Sequence, residues 1–186
     1  KDDGEEFDPD MIPWIGCIDP GGFAETKLNK SSKCAALIAG QAGNSVKKFV
    51  PWTWSGRIEA PSKLLDIIFK ANKEWKVKFW YCERIAAQDY ILKDIKEEAE
   101  RRHERLVIVG TPKDASFMAE NAKDVRITGL IQPLFLGQYY LLDTSRDLIG
   151  EITSFPGVTK DLVDCLAILH KLRFSGKTQT PITTSN

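Results

Sequence analysis

The chain has 186 residues, 42% of them hydrophobic and 28% charged, enough apolar content for one domain with a sizeable core and too much for a disordered segment. Lys+Arg and Asp+Glu both number 26, so no overall field draws the chain to a polyanion, and any contact with nucleic acid needs local basic patches. No apolar run reaches transmembrane length and no signal-peptide pattern is present.

Residues 1–12 are acidic and contain Pro9, which predicts a linker or frayed N-terminus. A chain that opens on Lys1 rather than Met is expected to be a piece of something longer. Trp14–Asp19 is the first predicted strand, closed at once by Pro20-Gly21-Gly22. Asp is a poor strand residue and a costly charge to place in a core. Asp19 therefore either caps the turn or holds a ligand.

Gly22–Lys33 reads as a polar loop carrying Lys27, Lys30 and Lys33. Cys34–Gln41 is a nearly all-apolar strand, and Val46–Trp54 a third, with Pro51 marking a bend or an edge position. Short connections between the three predict an antiparallel meander. Pro61 to Trp75 then takes helical spacing, with Pro61 in the first turn.

Val77–Cys82 is a buried strand that ends at Glu83, and Ala87–His103 a charged amphipathic helix. Leu106–Val109 suits a parallel strand. Asp114–Lys123 is predicted helical, Gln138–Leu142 a hairpin arm or edge strand, and Ser145–Thr153 and Lys160–Leu172 helices. The core domain is expected over residues 13–174, with a flexible polar tail over 175–186. The order β-β-β-α-β-α-β-α predicts an α/β fold: a mixed sheet with helices on both faces.

Cys17, Cys34, Cys82 and Cys165 lie far apart inside apolar runs, where reduced buried thiols are the expectation. Gly176-Lys177-Thr178 imitates the end of a P-loop, but the earlier glycine falls on Lys171, so no nucleotide site follows. His103 and His170 show no partner spacing.

The acids are more informative. Asp19 and Glu83 each end a strand, and Asp161 and Asp164 share one face of the last strong helix at i, i+3. If the first and fourth strands are neighbours, all four converge at one end of the sheet. Carboxylates that close repel unless cations lie between them. Oxygen ligation suits a hard divalent ion, Mg²⁺ or Mn²⁺. Two such ions roughly 4 Å apart support phosphodiester hydrolysis. Lys27, Lys33, Lys47, Lys48 and Arg57 are the cations expected to flank the cleft and meet DNA phosphates.

This order of elements, with its Asp, Glu and late helical Asp, resembles the RNase H-like nucleases. The last third resembles, more narrowly, the nuclease domain of the large terminase subunit of tailed double-stranded DNA phages. The residues that carry the likeness are Ile131 to Phe135, Gly137 to Tyr140, Leu148, Glu151-Ile152, Ser154-Phe155-Pro156 and Lys160 to Ala167. It extends from Trp14 to Leu172 and is most specific from Phe155 to Ala167.

The resemblance implies that Asp19 and Glu83 are the first- and fourth-strand metal acids, and that Asp161 and Asp164 are the second and third acids of the late motif. Lys160, Thr159 and Lys33 depart from the pattern, standing where the family often has Asp, His and Asp. The principal late ligand is thus either Asp161 or Asp164. The resemblance further implies cutting of concatemeric double-stranded DNA with little sequence preference. It implies an N-terminal ATPase motor outside this chain, a portal and small terminase subunit as partners, and the cytoplasm of an infected bacterium as the location. A Holliday-junction resolvase, or a non-catalytic DNA- or portal-docking module, are the rival expectations.

Overall fold

The computed structural model describes residues 6–21, 33–58, 61–83, 89–114, 117, 119, 122–157 and 159–175. Its six strands are β1 (Ile15–Asp19), β2 (Cys34–Gln41), β3 (Lys48–Gly56), β4 (Phe79–Cys82), β5 (Ile108–Gly110) and β6 (Tyr139–Leu141). They form one sheet in the order β5-β4-β1-β2-β3-β6. The meander β1–β2–β3 is antiparallel. By contrast β4 runs parallel to β1, β5 parallel to β4, and β6 parallel to β3. The first and fourth strands are therefore neighbours, which is the condition the acidic site requires.

Helices cover both faces. On one, α1 (Pro61–Trp75) and α2 (Asp89–Arg102) bury Leu64, Ile68 and Ile95 against Ile18, Ala36, Ile38 and Trp80. On the other lie α3 (Ala122–Thr128), the short α4 (Ile131–Phe135), α5 (Arg146–Ser154) and α6 (Asp161–Leu169), followed by a π-helical turn over His170–Phe174. There Leu162, Leu166 and Ile168 pack on Cys17, Ala35, Leu37 and Tyr81. Every residue of α6 from Leu162 to Leu169 is buried, so this helix is driven onto the sheet by apolar area rather than by its caps.

Gly16 is required by a close approach. A Cβ there would stand 2.1 Å from the Trp80 ring of the neighbouring strand. Removing that side chain lets the fully buried Trp80 lie flat across β1 and donate Nε1–H to Asn72 Oδ1 at 3.0 Å. Trp52 and Trp54, on the same side, pack against this core.

Several expectations shift. β4 begins at Phe79 rather than Val77, and β5 begins two residues later and ends one residue later than its apolar run suggests. Pro51 continues β3, at the point where the β2–β3 register breaks between Ile38 and Gly40; the bulge accommodates the missing N–H. Gln138–Leu142 supplies an edge strand, parallel to its neighbour rather than a hairpin arm. The described part of the expected linker packs on the domain: Ile12 is buried, the Phe7 ring lies 5.1 Å from Phe49, and Trp14 Nε1–H donates to Pro9 O. All four cysteines are buried, and none forms a disulfide. Among the described residues no helix is long and apolar enough to cross a membrane.

Candidate active site

Side chains alternate along a strand, so Ile15, Cys17 and Asp19 share one face of β1. Cys17 packs beneath α6, and Asp19 therefore projects to the same side at the strand's end. The same alternation carries Tyr81 and Glu83 to that face from β4. The Glu83 N–H donates to Ile18 O at 2.9 Å, continuing the parallel ladder and setting Glu83 beside Asp19. From above, α6 delivers Asp164, which is fully buried. Ligand oxygens of Asp19, Glu83 and Asp164 all lie within 4.8 Å of one another. Asp161, one turn earlier, stands at the margin, about a quarter exposed.

Asp19 caps the turn and also faces the other acids. Its Oδ1 accepts the Gly21 N–H at 2.9 Å, an Asx turn, while Oδ2 faces the cluster.

Two cations enter this cluster from α3, and sequence reasoning missed both. Arg126 is buried; its Nε donates to Asp164 Oδ1 at 3.0 Å, and its Nη2 to Asp164 Oδ2 at 2.7 Å and Glu83 Oε1 at 3.0 Å. Lys123 Nζ lies 2.8 Å from Asp161 Oδ1, 3.5 Å from Asp19 Oδ2 and 3.8 Å from Asp164 Oδ2. With all four carboxylates ionised, the two cationic side chains leave two formal negative charges; with Glu83 protonated they leave one.

The electrostatics follow the geometry. Burial pushes the Glu83 carboxyl up to about 8, helped by the Asp19 and Asp164 charges and opposed by Lys123 and Arg126. Burial also raises Asp19, and the Lys123 charge offsets only part of that rise. For Lys123 burial acts downward, but Asp19, Asp164 and Asp161 outweigh it and hold the ammonium above its ordinary value. The Glu83 carboxyl thus keeps its proton at neutral pH unless more positive charge arrives.

A third missed residue positions α6. Lys160, its N-cap, makes no side-chain cap bond. Instead Glu151 of α5 is buried and accepts the Val163 N–H at 2.9 Å and the Leu162 N–H. A carboxylate twelve residues away thus satisfies the free amides at the start of the helix that carries Asp161 and Asp164.

The basic residues divide. Lys33 precedes β2 and Arg57 follows β3, and since Asp19 pairs with Ala35 and Cys34 with Gly56, both lie at the acidic end of the sheet. Lys47 and Lys48 do not flank the cleft, a correction that the register forces. Lys48 pairs with Gln41, six residues along β2 from Ala35, roughly 20 Å away. Lys48 is only 4% exposed, its Nζ donating to Val46 O at 2.7 Å and Gln138 Oε1 at 3.2 Å. Lys47 Nζ stands over the Phe7 and Tyr140 rings. Lys27 lies outside the described residues.

Three hard-oxygen donors converging at a strand–helix junction fit a divalent cation such as Mg²⁺ or Mn²⁺. Each carboxylate oxygen has two lone-pair sites, so the Arg126 bonds leave capacity for an ion on Asp164 and Glu83.

The chain has an RNase H-like fold, the mixed sheet with helices on both faces that its sequence predicts. Solved structures that share it include three terminase nucleases. The nuclease domain of the bacteriophage P22 large terminase superposes with a TM-score of 0.61 at 15% identity, over 90% of this chain and 84% of that one. The human cytomegalovirus terminase nuclease domain, manganese-soaked and inhibitor-bound, gives 0.59 at 11% identity, over 90% and 86%. A mutant large terminase subunit from bacteriophage Sf6, with calcium, gives 0.50 at 11% identity, over 84% and 87%. No protein-family model matches the sequence, and no curated protein matches it significantly.

Proposed function

We propose that the chain is a metal-dependent endonuclease domain of terminase type, cutting double-stranded DNA with little sequence preference. The observation that carries this reading is the convergence of Asp19, Glu83 and Asp164 within 4.8 Å at the end of β1 and β4, on the fold shared with terminase nucleases. Asp19, Glu83 and Asp164 would hold the ion, with Asp161 beside them toward a second. Bound Mg²⁺ or Mn²⁺ supplies a water activated for attack on phosphorus and charge to balance the leaving oxygen.

The chain's own residues supply the rest. Arg126 fixes the plane of the Asp164 carboxylate by a two-point bond, and Glu151 anchors the helix beneath it. The Glu83 carboxyl holds a proton at neutral pH and releases it when cationic charge enters. Lys33 and Arg57 stand where backbone phosphates of a duplex laid across this end would pass. Such contacts position DNA and carry no sequence information.

In this reading the cell-level partners are an ATPase motor, a portal and a small terminase subunit, with concatemeric DNA cut in the cytoplasm of an infected bacterium. The test is cleavage of several linear duplexes of unrelated sequence, with a four-way junction alongside, in Mg²⁺ or Mn²⁺ at rising salt. Similar rates on all duplexes, each falling with salt, support the proposal. Preference for the junction would favour a resolvase; binding without cutting would favour a docking module.

A further inference from the structure

The end of the sheet opposite the acids holds a buried polar cluster that the nuclease chemistry leaves unused. β6 is an edge strand and pairs with β3 over three residues, from Lys48–Tyr139 to Val50–Leu141. Two polar ties supplement that short ladder. Lys48 holds Gln138, the residue before β6, through its backbone N–H at 2.8 Å and its ammonium at 3.2 Å. Tyr139 Oη lies 2.8 Å from Nδ1 of His170, the first residue of the π-helical turn that continues α6.

Lys48 and His170 flank the same ring: the Lys48 ammonium stands 5.6 Å from the Tyr139 centroid, and the His170 centroid 6.0 Å from it. Lys48 is buried and donates to the neutral oxygens of Val46 and Gln138; among the described residues no carboxylate pairs with it. Charged groups on the adjoining elements are engaged elsewhere. Glu151 accepts the Val163 N–H and Asp147 the Ser55 hydroxyl, while Asp143 and Arg146 are exposed. Lys171 stands over Phe117, and Arg173 over Phe79 and Tyr81. α4 carries no titratable group.

An imidazolium at His170 would therefore be a second cation beside Lys48, with no anion to balance it. Once protonated, Nδ1 can only donate, so the phenol proton loses its acceptor as well. Burial and the Lys48 charge hold the His170 ring below its ordinary value of 6.5, and burial holds the Tyr139 phenol above its own. At neutral pH the tie joins two uncharged groups. The unfolded chain takes up the proton first, so the stability that the tie contributes is present above 6.5 and is lost as pH falls through the lower folded value.

We propose that His170 and Tyr139 form a pH-sensitive latch, which when neutral fastens the β6 edge to the end of α6 and when protonated lets β6 leave β3. α6 stays in place, because Leu162 to Leu169 are all buried in the core it shares with β1 and β2. A three-residue edge strand has no comparable hold and opens locally.

The test is amide hydrogen exchange of the full chain at pH 7.5 and pH 5, corrected for intrinsic rates, comparing residues 138–142 with residues 162–169. Global unfolding does not isolate the latch, because the large Glu83 shift acts in the opposite direction. At pH 5 wild type is expected to lose protection over 138–142 by roughly ten-fold or more and to keep it over 162–169. His170→Gln, which cannot take up the charge, should protect 138–142 equally at both pH values. His170→Phe replaces it should the Gln variant fail to fold by circular dichroism. Unchanged wild-type protection over 138–142, a loss shared equally by 162–169, or an acid loss that persists in the folded His170 variant would overturn the inference.

Discussion

Arg126 grips Asp164 at two points, Nε to Oδ1 at 3.0 Å and Nη2 to Oδ2 at 2.7 Å, and both side chains are buried. A paired guanidinium and carboxylate inside a core are costly to separate, since removal of one leaves the other charged and unsolvated. Arg126→Met should therefore lower metal-free stability by about 3–5 kcal/mol, measured by urea unfolding. Saturating Mn²⁺ should recover part of that loss, because the ion replaces the missing positive charge. A Met variant as stable as wild type would mean that the pair is not formed.

The remote cap makes a separate prediction. Glu151→Ala leaves the Leu162 and Val163 amides without an acceptor and should cost about 1–2 kcal/mol. Glu151→Gln keeps an acceptor oxygen and should lose less. Equal loss in the two variants would assign the effect to charge rather than to the cap.

Phosphate contacts are tested by charge reversal. Lys33→Glu and Arg57→Glu should slow cleavage of every duplex alike, each reducing the log–log salt slope by about one. Lys47→Glu should leave cleavage rates unchanged, because its ammonium stands over Phe7 and Tyr140 at the far end of the sheet. Slower cutting by Lys47→Glu would move the DNA path.

These contrasts mark what was legible in the sequence. Asp19 and Glu83 were legible because each acid closes an apolar strand, a placement that local propensity alone disfavours. Asp164 was legible from its spacing to Asp161 and from the apolar stripe behind it. Lys123 and Arg126 were not, because i, i+3 cations on a short polar helix look like an ordinary solvated face. Only the tertiary placement of α3 over the sheet end turns them inward. Glu151 was visible as a residue, but its bond to Val163 joins two helices and leaves no local pattern. Lys47 and Lys48 misled because adjacent lysines in a strand entry fit a phosphate patch, whereas register decides which end of the sheet they occupy.

The pH dependence of stability has a definite sign. Glu83 titrates at about 8 in the folded chain against an ordinary value of 4.5. Between these values the unfolded chain has released the proton and the folded chain keeps it, so metal-free stability falls as pH rises from about 4.5 to about 8, then levels. The upward shift of Asp19 acts in the same direction. Urea unfolding at pH 5 and pH 8.5 without metal should show the lower stability at the higher pH, and Glu83→Gln should flatten the difference. Mn²⁺ favours the ionised carboxylate, so its stabilisation should grow over the same window. Stability rising with pH would show that the carboxylates are not buried together.

Nicking of supercoiled plasmid by wild type and single carboxamide variants in Mn²⁺ tests the central claim most directly. Asp19→Asn, Glu83→Gln and Asp164→Asn remove ligand charge while barely changing volume, and each should reduce cleavage to background with the circular dichroism spectrum intact. Asp161→Asn, at the margin and bonded to Lys123, should cost less, roughly ten- to hundred-fold, as for a partner beside the ligands. Wild-type rates from a folded Asp19→Asn variant would contradict the account, because no nuclease centre at the end of β1 could then be doing the cutting.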